Sequence, residues 1–331
     1  MKPIQNPRAV QRLAISAILS CSVCHAAFAQ DVTTIVDTSD AVENAPWADN
    51  VTITVNEDAD TFTFDSDGIP SHGFAEQYLN PKGAPGTPVA EYTIDQFDIV
   101  NSADFFTETP INTEITTLPV YSETPTDTAL GRIGVTLSGS QLFNDYENQQ
   151  RTIVAMDDNF IHDHAAFLDD CNGHALNDGT SYHYHGIPVC LTVDLDVAGE
   201  HSYMLGVLED GFPVYANQDV NGEIISDDAL DDCSGHFGPT PEFPDGIYHY
   251  HLTADDAPYS VDCYHGEIEV AANAGGGGGP DFTDAAASLG VDVDTLRDAL
   301  GGGGPPDFEA AAAKLGVSVD DLMAVMPAPP Q

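Results

Sequence analysis

Apolar and polar residues alternate over Val51–Phe64 (V-T-I-T-V-N-E-D-A-D-T-F-T-F), around an acidic centre. Period-two alternation about a polar turn predicts a β-hairpin. Asp67-Gly68-Ile69-Pro70-Ser71-His72 follows as a turn. Tyr78–Thr126 is rich in Pro, Thr and acid, with short strands such as Tyr92–Ile99. Ile133–Gly139 and Leu205–Gly211 then carry one pattern twice, an apolar strand running into a Gly turn. Leu142-Phe143 and Val214-Tyr215 follow in step, so each copy reads strand, turn, strand. Asp157–Leu168 reads as a short helix, and little else before residue 270 has helical period. The core is therefore predicted to be mainly β.

The repetition extends further. Leu168–His185 reads L-D-D-C-N-G-H-A-L-N-D-G-T-S-Y-H-Y-H, and Leu230–His251 reads L-D-D-C-S-G-H-F-G-P-T-P-E-F-P-D-G-I-Y-H-Y-H. The full units cover about 132–190 and 204–265. A duplicated block implies a duplicated site, or one site assembled from two halves. A second repeat ends the chain: Phe282, Leu289, Gly290, Val291 and Leu296 align with Phe308, Leu315, Gly316, Val317 and Leu322. Each unit reads as a helix, a Gly cap and a second short helix. Gly275–Gly279 and Gly301–Gly304 read as flexible linkers. The predicted fold is thus an internally duplicated, disulfide-stapled β domain with two small C-terminal helical hairpin repeats. Its segments are a leader (1–29), an N-terminal β region (30–130), the duplicated core (131–270), a Gly linker (271–280) and helical repeats at 281–300 and 305–326. Units so small imply pairing or a protein partner.

Met1–Ala29 has a basic start (Lys2, Arg8, Arg12), a short apolar run (Leu13–Leu19) and a small-residue end, Ala27-Phe28-Ala29. That is the pattern of a cleaved secretory peptide, and the run is too short to span a bilayer. Ile18-Leu19-Ser20-Cys21 offers a lipoprotein site as the alternative. Secreted or periplasmic placement follows, with no membrane span elsewhere. Cleavage removes two of the six Cys and leaves Cys171, Cys190, Cys233 and Cys263. In an exported protein these read as two disulfides. Three pairings are open, and the repeat favours Cys171–Cys190 with Cys233–Cys263. The mature chain keeps five cations (Lys82, Arg132, Arg151, Arg297, Lys314) against 54 acidic residues. Such a charge repels nucleic acid and anionic lipid.

Successive strand residues face opposite ways. In Tyr182–His185 and Tyr248–His251 both His therefore share one face and both Tyr the other. Imidazoles at i and i+2 lie roughly 6–7 Å apart along a strand, close enough to bind one metal. His183, His185, His249 and His251 are the leading candidate ligands. His174 and His236, three residues after a Cys, and His72 in its turn are supporting candidates. His162, His164 and His265 lie in or near the same blocks, whereas His201 stands alone and reads as structural. An imidazole-rich site suits copper or zinc. Asp169, Asp170, Asp231 and Asp232 could orient the rings as second-shell acceptors or brace the turns. Asn217, Asp219, Asn221 and Asp228 have the oxygen spacing of a calcium loop, although Asn221-Gly222 is also a hairpin-turn signal. G-x-S-x-G, H-E-x-x-H and P-loop signatures are absent.

These motifs resemble the YHYH-domain family of exported bacterial proteins. The resemblance rests on Asp67–His72, Gly206–Tyr215 (G-V-L-E-D-G-F-P-V-Y), Leu230–His236, Asp245–His251 and Cys263-Tyr264-His265-Gly266, with Leu168–His185 as a further copy. It covers roughly 50–270 and implies no established activity. One departure is Ser138-Gly139-Ser140-Gln141, where the second unit has Asp210-Gly211-Phe212-Pro213.

Three function classes follow. The first is a secreted or periplasmic metal-binding protein with a His-rich site built from both repeats. The second is a metalloenzyme, a hydrolase or copper oxidoreductase. The third is a structural or surface-interaction module. An enzyme needs an open coordination position and a cleft; a sequestering protein needs neither.

Overall fold

The computed structural model describes residues 35–82, 95, 97–146, 151, 154–155, 168–255, 257–268, 283–291, 295–296, 299 and 308–325. The leader, both Gly linkers, His162, His164, all but the last residue of the helix expected at Asp157–Leu168, and most of 92–96 lie outside them.

The strands in chain order begin with β1 (Val51–Asn56), β2 (Thr61–Ser66), β3 (Gln77–Pro81), β4 (Phe97–Asn101), β5 (Ile111–Thr116) and β6 (Tyr121–Asp127). The core follows with β7 (Arg132–Thr136), β8 (Gln141–Phe143), β9 (Gly173–His174), β10 (His183–Tyr184), β11 (Gly206–Leu208) and β12 (Pro213–Tyr215). It ends with β13 (Gly235–Gly238), β14 (Ile247–His251) and β15 (Cys263–Gly266).

The alternating segment forms the expected hairpin, with β1 and β2 paired antiparallel from Val51↔Ser66 to Asn56↔Thr61. β5 adds to the free edge of β2. The inward residues Phe62, Phe64, Ile111 and Ile115 pack with Val135, Val207 and Tyr215 of a larger sheet. A three-stranded sheet thus covers one face of the large one. The other face carries Tyr182, Tyr184, Tyr248, Tyr250 and most of the remaining aliphatic core.

The large sheet has eight strands in the order β13-β14-β12-β11-β7-β8-β10-β9. Its centre is the antiparallel pair β7/β11, where Val135 faces Val207, Thr136 faces Gly206 and Gly134 faces Leu208. The backbones leave no room for a side chain there: a Cβ on Gly206 would lie 2.0 Å from Val135 O, and one on Gly134 2.7 Å from Val207 O. Outward from that pair both halves run in the same sequence. A short hairpin partner (β8, β12) comes first, then the Y-H-Y-H strand (β10, β14) in parallel, then the C-x-x-H strand (β9, β13) antiparallel at the edge.

Cys171 is bonded to Cys190 and Cys233 to Cys263. The two staples reach different elements. Cys190 lies on a helix, α3 (Val189–Leu195), that helical period alone did not reveal; Pro188 immediately precedes it. Cys263 lies on β15, which pairs with β6. Two further short helices, α1 (Ser39–Asn44) and α2 (Ser102–Phe105), flank the β region. At the C-terminus come α4 (Thr283–Leu289), α5 (Phe308–Leu315) and α6 (Val319–Val325). Gly290 and Gly316 both adopt φ +71° after α4 and α5. Val291 N–H and Val317 N–H close back onto Ala286 O and Ala312 O, each at 3.1 Å. This is the six-to-one bond of a Gly-capped helix end. Ala285, Ala286, Leu296, Ala311, Ala312 and Leu322 share one small core of their own. Among the described residues no helix is long and apolar enough to cross a membrane.

Candidate metal centres

In the second half of the sheet, β14 presents His249 and His251 on one face, and β13 places His236 directly across from His249. The three Nε2 atoms form a triangle. His236 lies 3.0 Å from His249 and 3.2 Å from His251, and His249 lies 3.1 Å from His251. The outer nitrogens fix the rings. His249 Nδ1 donates to Ile247 O at 3.0 Å and His251 Nδ1 to Ala216 O at 2.6 Å. A carbonyl only accepts, so in both rings the proton sits on Nδ1 and the Nε2 lone pair points inward. Lone pairs that close repel each other unless a cation or a proton lies among them. Metal–imidazole bonds of about 2.0–2.1 Å at tetrahedral angles hold nitrogens roughly 3.3 Å apart, so this triangle is of the size a metal requires.

The cluster is dry. His249 and His251 are fully buried, and burial holds both well below the ordinary histidine range, His251 down to about 3. Burial also lowers His236, partly offset by the Asp219 carboxylate. Neutral imidazole is the form that binds metal.

The first half repeats the arrangement. β9 sets His174 across from His183, and β10 carries His183 with His185 following. His174, His183 and His185 are buried, and each offers a nitrogen within 4.8 Å of the others. His185 Nε2 is 3.1 Å from His174 Nε2. His174 Nδ1 donates to Ala175 O at 3.1 Å and His183 Nδ1 to Ser181 O at 2.7 Å. Phe143 stacks on His183 at 3.8 Å, and the buried Asp145 carboxylate lies 3.9 Å from His185 Nδ1.

Residues 112–224 and 218–266 match the family model described as YHYH protein. The chain carries a YHYH domain. No curated protein and no solved structure matches it.

The tyrosines of the YHYH strands serve the opposite face. Tyr182 donates to Asp169 Oδ2 at 2.6 Å and Tyr248 to Asp231 Oδ2 at 2.8 Å. The same two carboxylates accept from Cys171 N–H and Gly173 N–H, and from Cys233 N–H and Gly235 N–H. Asp169 and Asp231 therefore brace the turns that lead to His174 and His236, and do not orient the clustered rings. Backbone carbonyls do that. Asp170 and Asp232 are exposed. The second tyrosine of each strand reaches the position where the two halves differ. Tyr184 donates to Ser138 Oγ at 3.0 Å, and Tyr250 to Asp210 Oδ2 at 2.6 Å. Burial pushes Asp210 up to about 6 against the Tyr250 hydroxyl and the Phe212 and Gly266 N–H groups that donate to it.

Not every expected residue joins a cluster. His183 and His185 sit five strands away from His249 and His251 in sheet order, roughly 24 Å at about 4.8 Å per strand. The YHYH domain therefore builds two clusters, not one between the repeats. His72 lies on the tyrosine face, 5.7 Å from the Tyr182 ring, with Nδ1 3.4 Å from Cys171 Sγ. His265 mirrors it against Tyr248 at 5.5 Å. Cys171, Cys190, Cys233 and Cys263 are bonded in pairs and offer no thiolate. In the stretch read as a calcium loop, Gln218 bridges Ile224 around Asn221 and Gly222. Asn221 and Asp228 are exposed. Asp219 groups instead with His236 and His251. His201 also lies beside this cluster, grouped with His249 and His251. No motif marks it, because it arrives on the segment leading into β11.

Proposed function

We propose that the YHYH domain holds copper or zinc at two histidine centres, one in each half of the duplicated sheet, in an exported protein. The observation that carries this reading is the Nε2 triangle of His236, His249 and His251, whose rings are set by backbone carbonyls. Five of the six clustered His are buried and the sixth, His236, is half-buried, which favours retention of a metal over turnover at it. Two disulfides fit the oxidising surroundings that an export leader would deliver it to. The duplication has support in the matching strand sequence of the two halves and in the two matched stretches of the family model.

Titration of chelator-stripped protein against a chromophoric competitor tests the reading. Two tightly held equivalents of copper or zinc per chain are expected. Binding no stronger than that of surface carboxylates would refute it.

A further inference from the structure

The second-half centre contains more than its motif supplies. His201 Nδ1 donates to Ser202 O at 2.7 Å, which leaves the Nε2 lone pair for the cluster. Its ring lies 5.4 Å from that of His249 and 5.3 Å from that of His251. The His201 side chain is 6% exposed. Its Nε2 is buried with no hydrogen-bond partner, and so is Asp219 Oδ1. The two atoms lie 3.7 Å apart, too far to satisfy each other. Buried polar atoms are normally paired, and two orphans facing each other beside three converging imidazoles call for a ligand common to all. Asp219 is held in place by its own turn, where its N–H donates to Glu223 O at 2.7 Å.

We propose that His201 and Asp219 complete this centre as a site of four imidazoles and one carboxylate that takes copper(II) in preference to zinc(II). The inference rests on the metal-binding reading above and goes beyond it in ligand set and metal. Zinc in protein sites almost always takes four donors in a tetrahedron. Copper(II) accommodates nitrogen and oxygen donors in tetragonal arrangements and binds most tightly among the divalent first-row metals. The cysteines of the described residues are locked in disulfides, so none of them supplies a thiolate to favour a softer ion.

The test uses the full chain, stripped of metal, with His201→Ala, Asp219→Ala and His249→Ala alongside the unchanged protein. Copper(II) is titrated against a competing chelator, zinc(II) is offered at equal concentration, and the electron paramagnetic resonance spectrum is recorded at each step. Loss of an outer-shell partner alone typically lowers metal affinity about 10- to 100-fold. Losing either ligand should therefore weaken one of the two copper equivalents at least about tenfold and alter its spectrum. Zinc should not displace copper. If His201→Ala fails to fold, Asp219→Asn, on a partly exposed turn, probes the same centre. Unchanged affinity and spectrum in the His201 and Asp219 variants, with binding lost in His249→Ala, would remove these two ligands while leaving the metal reading intact. Displacement by zinc at parity would overturn the metal preference. Failure of the unchanged protein to bind either metal would defeat the underlying reading itself.

Discussion

His236 and His249 face each other across β13 and β14, with their Nε2 atoms 3.0 Å apart. His249 cannot turn away, because Ile247 O holds its other nitrogen. Removing that imidazole should empty one centre and spare the other, since the two are five strands apart. His249→Ala is therefore expected to hold one metal equivalent where the unchanged protein holds two. Loss of both on elemental analysis would mean that the centres are not independent.

The buried histidines make the metal-free protein sensitive to acid. His251 stays neutral in the fold down to about pH 3, whereas in the unfolded chain it protonates near 6.5. Below about pH 6.5 the unfolded state therefore binds the extra proton, and stability falls as pH falls, by about 2 kcal/mol at pH 5 from His251 alone. Asp210 acts in the opposite sense. Its folded value of about 6 lies above its ordinary one, so its contribution is greatest below about pH 4 and is lost as pH rises through 6. Denaturant melts of metal-free protein from pH 7 to 5 check the sum. Asp210→Asn should steepen the loss of stability towards acid, because it removes the group that acts in the opposite sense.

Tyr248 braces a turn and touches no metal ligand through its hydroxyl. Tyr248→Phe removes the hydroxyl that donates to Asp231 Oδ2 at 2.8 Å and leaves the two N–H donors to Oδ1 in place. A hydrogen bond to a charged group contributes about 1.5–3 kcal/mol. The variant should melt earlier by roughly that amount while its metal content stays at the unchanged value. A drop in metal content at full stability would show that the tyrosine face does more than hold the fold.

The C-terminal helices have a core of their own, built on Ala285, Ala286, Ala311, Ala312, Leu296 and Leu322. A chain ending at Val270 should therefore keep the melting curve and metal content of the YHYH domain. Collapse of the domain on truncation would show that these helices support it.

Much of this was legible in the sequence because it rests on local rules. Period two placed His183 with His185, and His249 with His251, on one face, and the tyrosines on the other. The repeat favoured the cysteine pairing that the fold adopts. Gly290 and Gly316 marked the helix ends. What was not legible depends on strand order. Nothing local says that β7 and β11 sit between the two YHYH strands, and that placement separates the histidines into two clusters. His201 and Asp219 are far from the motif in sequence and reach the cluster only through β11, β12 and the turn at Asn221. The four aspartates after Leu168 and Leu230 were read as candidates for orienting rings or bracing turns. Their bonds to tyrosine hydroxyls and backbone N–H groups assign Asp169 and Asp231 to bracing.

Elemental analysis of the protein purified from its native host, without added metal or chelator, tests the central claim most directly. Two equivalents of copper or zinc per chain are predicted, with one lost on substituting His249 and one on substituting His183 and His185 together. Folded, disulfide-bonded protein that carries neither metal from its native compartment, and acquires none when offered it, would contradict the account.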